Sequence, residues 1–151
     1  MSRLALLLGA ALVLTGAAAT PALAADAKCT TKQVITAFVP LFYEKRDVKT
    51  AFEAWVAPDY IQHNPVAKDG RDNAIAALKP FFDSMPGMSY TVARVIVEGD
   101  LAVVHNKLKM NAADRGSAVV DIFRVKDCKI VEHWDVMQAV PDKSANDHPM
   151  F

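Results

Sequence analysis

VVDIFRVKDCKIVEHWDVMQ, residues 119–138, decides how this chain is expected to fold. Two runs rich in Val, Ile, Phe and Trp flank Asp127-Cys128, and that spacing predicts a β-hairpin with a two-residue turn. With that turn, Lys126 pairs with Lys129, Val125 with Ile130, Phe123 with Glu132 and Asp121 with Trp134. Side chains alternate along a strand, so Val119, Asp121 and Phe123 are expected on one face with Glu132, Trp134 and Val136. Val120, Ile122, Arg124, Val131, His133 and Asp135 fall on the other. An acid then sits in an apolar face. The reverse face is also partly apolar and needs cover, for which a twofold partner is the simplest source.

Upstream of the hairpin, Met88 to Glu98 alternates as a strand, Gly99-Asp100 turns, and Leu101 to Met110 runs back before a loop from Asn111 to Gly116. This makes at least four antiparallel strands in a meander. Ahead of them lie three helical patterns. Thr30 or Thr31 caps the first, whose stripe is Val34, Ile35, Phe38, Leu41 and Phe42, with a kink at Pro40 and an end near Asp47. Val48 to Ala57 forms the second, stopped by Pro58. Asp59 to Gly70, DYIQHNPVAKDG, reads as a loop bent at Asn64-Pro65 and Asp69-Gly70. The third helix starts at Arg71, carries Ala74, Ile75, Leu78, Phe81 and Phe82, and closes at Pro86-Gly87. Helices followed by antiparallel strands predict an α+β domain with the helices on one face of the sheet.

Residues 1–24 have the basic start, apolar run and Ala22-Leu23-Ala24 site of a secretory signal peptide, too short to span a bilayer. Cleavage leaves 127 of the 151 residues, a single domain over residues 25–141 with a polar tail at 142–151. Loss of Arg3 leaves 16 basic residues against 17 acidic ones, without the clustered Lys and Arg that nucleic acid or an anionic membrane requires. Destination in a periplasmic or extracellular compartment favours a disulfide between Cys29 and Cys128, the only two cysteines. Two free thiols are the alternative, because spacing does not show whether the Cα atoms come within bridging distance.

Asp121 is the first candidate for chemistry: desolvation favours the protonated form of an unpaired carboxylate and suits it to shuttle protons at neutral pH. A five-residue loop, Asn111 to Arg115, would pair Met110 with Gly116 and set His105 opposite Asp121, where an imidazole and a carboxylate can exchange a proton. His63, with Gln62 and Asn64 beside it in YIQHNP, lies on a loop fixed between helices, a common place for site residues. Tyr60 is placed to close a pocket mouth, and Trp134 and Phe123 to line its wall. The competing reading for each is structural: a satisfied buried acid, a core histidine, a loop cap or plain core. His133 and Asp135 fall on the face away from Asp121, and His148 in the tail. No metal and no cofactor is expected, since H-x-x-H, H-E-x-x-H, C-x-x-C and G-x-S-x-G spacings and a phosphate-cradling glycine loop are all lacking.

YIQHNP, Gly70 ahead of the third helix, VVDIFRV and KIVEHWDVMQ together resemble the SnoaL-like polyketide cyclase family of the NTF2-like superfamily, over nearly the whole mature chain. The resemblance implies a cone-shaped α+β fold, a strongly curved antiparallel sheet around the helices, with a pocket inside and dimerisation through the sheet. It also implies aldol chemistry without cofactor or metal. Asp121 would be the general acid/base, His105 its imidazole partner, and His63 and Trp134 pocket residues. The sequence departs from the family at the turn, where Cys128 stands in a position usually held by Gly. An exported acid/base enzyme acting on a small apolar, carbonyl-containing molecule is the leading reading. A periplasmic binding domain without catalysis is its rival, and a dimeric interaction domain the third.

Overall fold

The computed structural model describes residues 29–151, so the expected signal peptide lies outside the described residues. Helix α1 (Thr31–Val39) begins with a reciprocal cap. The Thr30 hydroxyl accepts from the Gln33 N–H at 3.2 Å, and the Gln33 side chain accepts from the Thr30 N–H at 2.7 Å. Pro40 does more than kink the helix: it opens a turn of π-helix, Pro40–Glu44, in which the Lys45 N–H donates to the Pro40 carbonyl at 3.0 Å. This wider turn stacks Phe42 on Phe38, ring centroids 5.3 Å apart, and leaves Tyr43 only 2% exposed.

Helix α2 (Val48–Trp55) is capped by the Asp47 carboxylate, which accepts from the Thr50 N–H at 3.1 Å. It ends two residues before the expected Ala57, and the chain continues as strand β1 (Val56–Gln62) through what the sequence suggests is loop. Pro58 hides this strand from a pattern reading, yet β1 is an edge strand, where a missing ladder N–H is tolerated. Helix α3 (Arg71–Ser84) follows, then β2 (Ser89–Glu98), β3 (Leu101–Lys109), β4 (Ser117–Lys126) and β5 (Lys129–Ala139). The order is β1-β5-β4-β3-β2. The expected four-strand meander is present, with β1 added parallel to β5. The three helices pack into the curved, unclosed sheet, and Ile35, Phe38, Val48 and Phe52 join Val104, Phe123, Val125 and Ile130 in one core.

At the tip of the β4–β5 hairpin, Asp127 (φ 48°) and Cys128 (φ 65°) both adopt left-handed backbone, as a two-residue turn of the twist-matched kind requires. Cys128 is bridged to Cys29, with Cα atoms 5.5 Å apart, so the disulfide alternative holds. The cross-link accounts for a cysteine in a conformation that glycine usually occupies.

Beyond the tip the register departs from simple alternation. Val125 pairs with Ile130, but Arg124 pairs with Glu132, leaving Val131 as the extra residue of a bulge. A one-residue slip exchanges the faces of a strand. Asp121 therefore faces Asp135, not Trp134, and Phe123 faces His133. A second slip lies between β3 and β4, where Leu108 pairs with Ser117. Met110 belongs to the loop because Asp114 accepts both the Met110 N–H (2.8 Å) and the Gly116 N–H (2.9 Å). Gly116 (φ 94°) packs so closely that a Cβ would stand 2.7 Å from the Leu108 carbonyl. His105 consequently pairs with Val120 and shares its face, away from Asp121.

Candidate active site

The inner sheet face, the β1–α3 loop and α3 enclose a cavity of about 340 Å³. Its walls are largely aromatic and aliphatic, including Phe38, Phe42, Phe52, Leu78, Tyr90 and Phe123, and its polar lining is Tyr60, Gln62, Asn64, Asp121, His133 and Asp135. Val66 (92% exposed), Lys68 and Met137 (61% exposed) form the rim. The half-buried inner residues of α3, Ala74 and Leu78, pack against the edge of the core and border this space.

Asp121 is bonded through both of its carboxylate oxygens. Its Oδ2 accepts the Tyr43 hydroxyl at 2.7 Å and the Asn106 amide at 2.8 Å, and its Oδ1 lies 3.0 Å from His133 Nε2. The π-turn and strand β3 thus supply two donors from opposite layers. A carboxylate offers about four lone-pair positions. Two on Oδ2 and one on Oδ1 are taken, leaving one Oδ1 position beside the imidazole. Burial, then the Asp121 charge, raises the Tyr43 pKa well above its ordinary value, so the phenol remains a donor.

His133 Nδ1 lies 3.0 Å from Gln62 Oε1. The Gln62 amide is oriented by its neighbours: Oε1 accepts from the Asn64 N–H at 3.0 Å, and Nε2 donates to the Tyr60 hydroxyl at 2.9 Å. The imidazole is therefore bracketed by two oxygens. The Asn64 amide donates to both Asp135 oxygens at 2.9 Å, which ties the loop after β1 to β5. Further bonds fix the loop: Asp69 accepts from the Gln62 N–H, and the Gly70 N–H donates to the Tyr60 carbonyl, both at 2.7 Å.

Of the residues singled out in the sequence, Asp121, Phe123, Tyr60, Gln62 and Asn64 line the cavity. His105, His63 and Trp134 do not. His105 is turned outward by the β3–β4 register, and Trp134 by the Val131 bulge. His63 stacks on Trp134, with centroids 4.4 Å apart and planes at 5°, and its Nε2 lies 3.2 Å from Glu132. His133 and Asp135, expected on the far face, take their places in the cavity, and Tyr43 and Asn106 complete the Asp121 shell. The EHWD cluster in the sequence is the signal for the first pair. Nothing local marks Tyr43, which reaches Asp121 from 78 residues away.

Among the described residues, Asp121, His133 and Asp135 bring potential metal-ligand atoms within 4.8 Å of one another. Here those atoms serve as partners of the Tyr43, Asn106 and Asn64 donors and of each other, an arrangement suited to proton transfer.

A family model described as the SnoaL-like domain matches residues 35–133. No curated protein matches the chain. Among solved structures, TsrD from Streptomyces laurentii is similar at 23% identity and TM-score 0.58, covering 71% of this chain and 87% of that one. A protein from Jannaschia sp. CCS1 carrying the family name SnoaL-like polyketide cyclase aligns at 22% identity and TM-score 0.59, over 81% and 91% of the two chains. An NTF2-like protein of unknown function from Cytophaga hutchinsonii aligns at 13% identity and TM-score 0.59, over 76% and 95%. At these identities the likeness establishes the fold.

Proposed function

This chain belongs to the SnoaL-like domain family, and on that premise we propose that it is an exported, cofactor-independent acid/base enzyme of the aldol cyclase or isomerase type, moving protons next to the carbonyl of a small apolar molecule. The observation that carries the reading is the open Oδ1 position of Asp121, held beside His133 in a cavity with largely aromatic and aliphatic walls. Asp121 Oδ1 takes the proton from the carbon next to the carbonyl. The C–H electron pair becomes the enolate double bond, and the carbonyl π pair moves onto oxygen. The enolate then regains a proton at another carbon, or attacks a second carbonyl to close a ring. His133 keeps Asp121 oriented. Asp121 replaces an expected partner, His105, with this imidazole.

The rival is a binding domain with no turnover, and the three hydrogen bonds on Asp121 favour it, since a carboxylate held in this way also serves a purely structural role. Proton exchange separates the two. Incubated with α-tetralone in D2O, the protein is expected to replace the α-hydrogens with deuterium faster than buffer does, as followed by proton NMR, and Asp121→Asn to lose the effect. Tetralone that binds without exchanging would overturn the enzyme reading and leave the binding one.

Export is supported by the layout of residues 1–24 and by the Cys29–Cys128 bridge. N-terminal sequencing of the secreted protein is expected to begin at Ala25. Homodimerisation is supported by the outer sheet face, where Ile96, Val103, Ile122 and Trp134 lie in one cross-strand row and His105, Val120 and Val136 in the next. Ile96 and Val136 are 56% and 64% exposed.

A further inference from the structure

We infer that Tyr60 is a catalytic residue of this site: its hydroxyl donates the hydrogen bond that holds the carbonyl oxygen of the ligand, and the ligand class is a neutral ketone. The inference rests on the acid/base reading above and gives it an electrophile. Proton removal next to a carbonyl puts negative charge on oxygen, and a donor aimed at that oxygen is what makes the step feasible. The two histidines that the sequence offers for this task, His63 and His105, lie outside the cavity.

Counting donors around the cavity points to Tyr60. Both His133 nitrogens and the Asn64 amide are already engaged, with Asp121 and Gln62 and with Asp135, while the Asn73 and Gln62 amides each spend one N–H, on the Asp69 carbonyl and on the Tyr60 hydroxyl. Lys68 stands at the rim. The cavity's hydroxyl donors are two phenols, Tyr60 and Tyr90, and only Tyr60 is oriented by a hydrogen bond. Because the Asn64 N–H fixes Gln62 Oε1 as the oxygen, Gln62 Nε2 must donate to Tyr60. The Tyr60 oxygen is thus an acceptor toward Gln62, and among the described residues nothing accepts its own proton.

Two further features suit it to the role. Asp121, His133, Gln62 and Tyr60 form one continuous chain of hydrogen bonds, and a donor pointed at the phenol oxygen polarises its O–H. Burial, reinforced by the charges of Asp121 and Asp135, keeps the phenol protonated well past its ordinary range. The same two carboxylates disfavour an anionic ligand at this end of the cavity, which is why the class is a neutral ketone. In the reaction Tyr60 keeps its proton: the C–H pair of the substrate becomes the C=C bond, oxygen takes the π pair, and Asp121 Oδ1 takes the hydrogen.

The test uses the full mature protein with two probes of one shape, α-tetralone labelled with carbon-13 at the carbonyl, and tetralin, which has no oxygen. The bound ketone is expected to show its carbonyl stretch moved to lower frequency, and to bind about tenfold more tightly than tetralin, the worth of one buried hydrogen bond. Tyr60→Phe should abolish the shift and the preference while tetralin affinity is kept, and Tyr90→Phe should change neither. Should Tyr60→Phe fail to fold, 3-fluorotyrosine in place of Tyr60, a stronger donor of the same shape, should deepen the shift. An undiminished shift in Tyr60→Phe, an unchanged one with 3-fluorotyrosine, or a loss confined to Tyr90→Phe would overturn the assignment. If α-proton exchange persists in any of those cases, the acid/base reading stands without Tyr60. If neither probe binds, the small-ligand reading falls and the inference with it.

Discussion

His133 Nε2 lies 3.0 Å from Asp121 Oδ1, and both side chains are almost fully enclosed. Each group has little access to water that could replace a lost partner, so the pair should be strongly coupled. His133→Leu leaves the carboxylate one donor short and is expected to destabilise by about 1–3 kcal/mol, as does Asp121→Leu by stranding Tyr43 and Asn106. The double variant should cost less than the sum of the two. Urea unfolding of the four proteins measures this, and additive costs would show that the two residues do not interact.

Alkali should weaken the fold through its tyrosines. Tyr43, Tyr60 and Tyr90 all have raised pKa values, with burial the largest cause in each. Their contribution is fully present below the ordinary tyrosine pKa of about 10. Above it the unfolded chain releases phenolic protons that the folded chain retains, so stability falls as pH rises from there toward the folded-state values. Thermal unfolding should show a melting temperature level between pH 8 and 9 and dropping above 10, with a shallower drop in Tyr43→Phe. An equal slope in that variant would exclude Tyr43 as a source.

The disulfide and the turn it anchors make separable contributions. Closing a loop between residues 99 apart is worth at most about 4–5 kcal/mol in the chain-entropy model, and reduction should lower the urea midpoint accordingly. With the bridge gone, Cys128→Gly should be more stable than Cys128→Ala by about 1 kcal/mol, because the backbone at 128 is left-handed. Equal stabilities would mean that the turn relaxes once it is released from Cys29.

If the outer sheet face is a dimer contact, a charge at its centre should split it. Ile122 lies between Val103 and Trp134 in the apolar row, so Ile122→Arg is expected to yield a folded monomer. Sedimentation velocity of the wild type and the variant decides the matter. A wild-type monomer at tens of micromolar would remove the dimer proposal.

What could be foreseen from sequence was set by how far each feature depends on chain geometry. The hairpin, its two-residue turn, the three helices and the place of Asp121 on an inner face follow from local patterns: alternation, helical stripes, caps and a charge in an apolar run. The partners of Asp121 do not, because a face assignment is a parity and one extra residue inverts it. Val131 inverts β5, and the Asp114 clamp on Met110 and Gly116 inverts β3 relative to β4. These two slips alone exchange Trp134 and His105 for His133 and Asn106. Strand β1 was obscured by Pro58, and Tyr43 by a π-turn that no simple period describes.

The Val131 bulge has a consequence for how such a sequence can vary. Between the stapled Cys128 and His133, whether one residue is bulged out of the ladder matters more than the kinds of residue present. Pairing of Val131 into the ladder, with the bulge lost, would present an indole to the cavity in place of an imidazole, with every side chain chemically intact and every downstream residue of the strand reversed. A deletion of one residue there can be absorbed by loss of the bulge, which keeps the imidazole inward, so homologous chains are best aligned across this interval by their pairing with β4 and not by counting outward from the turn.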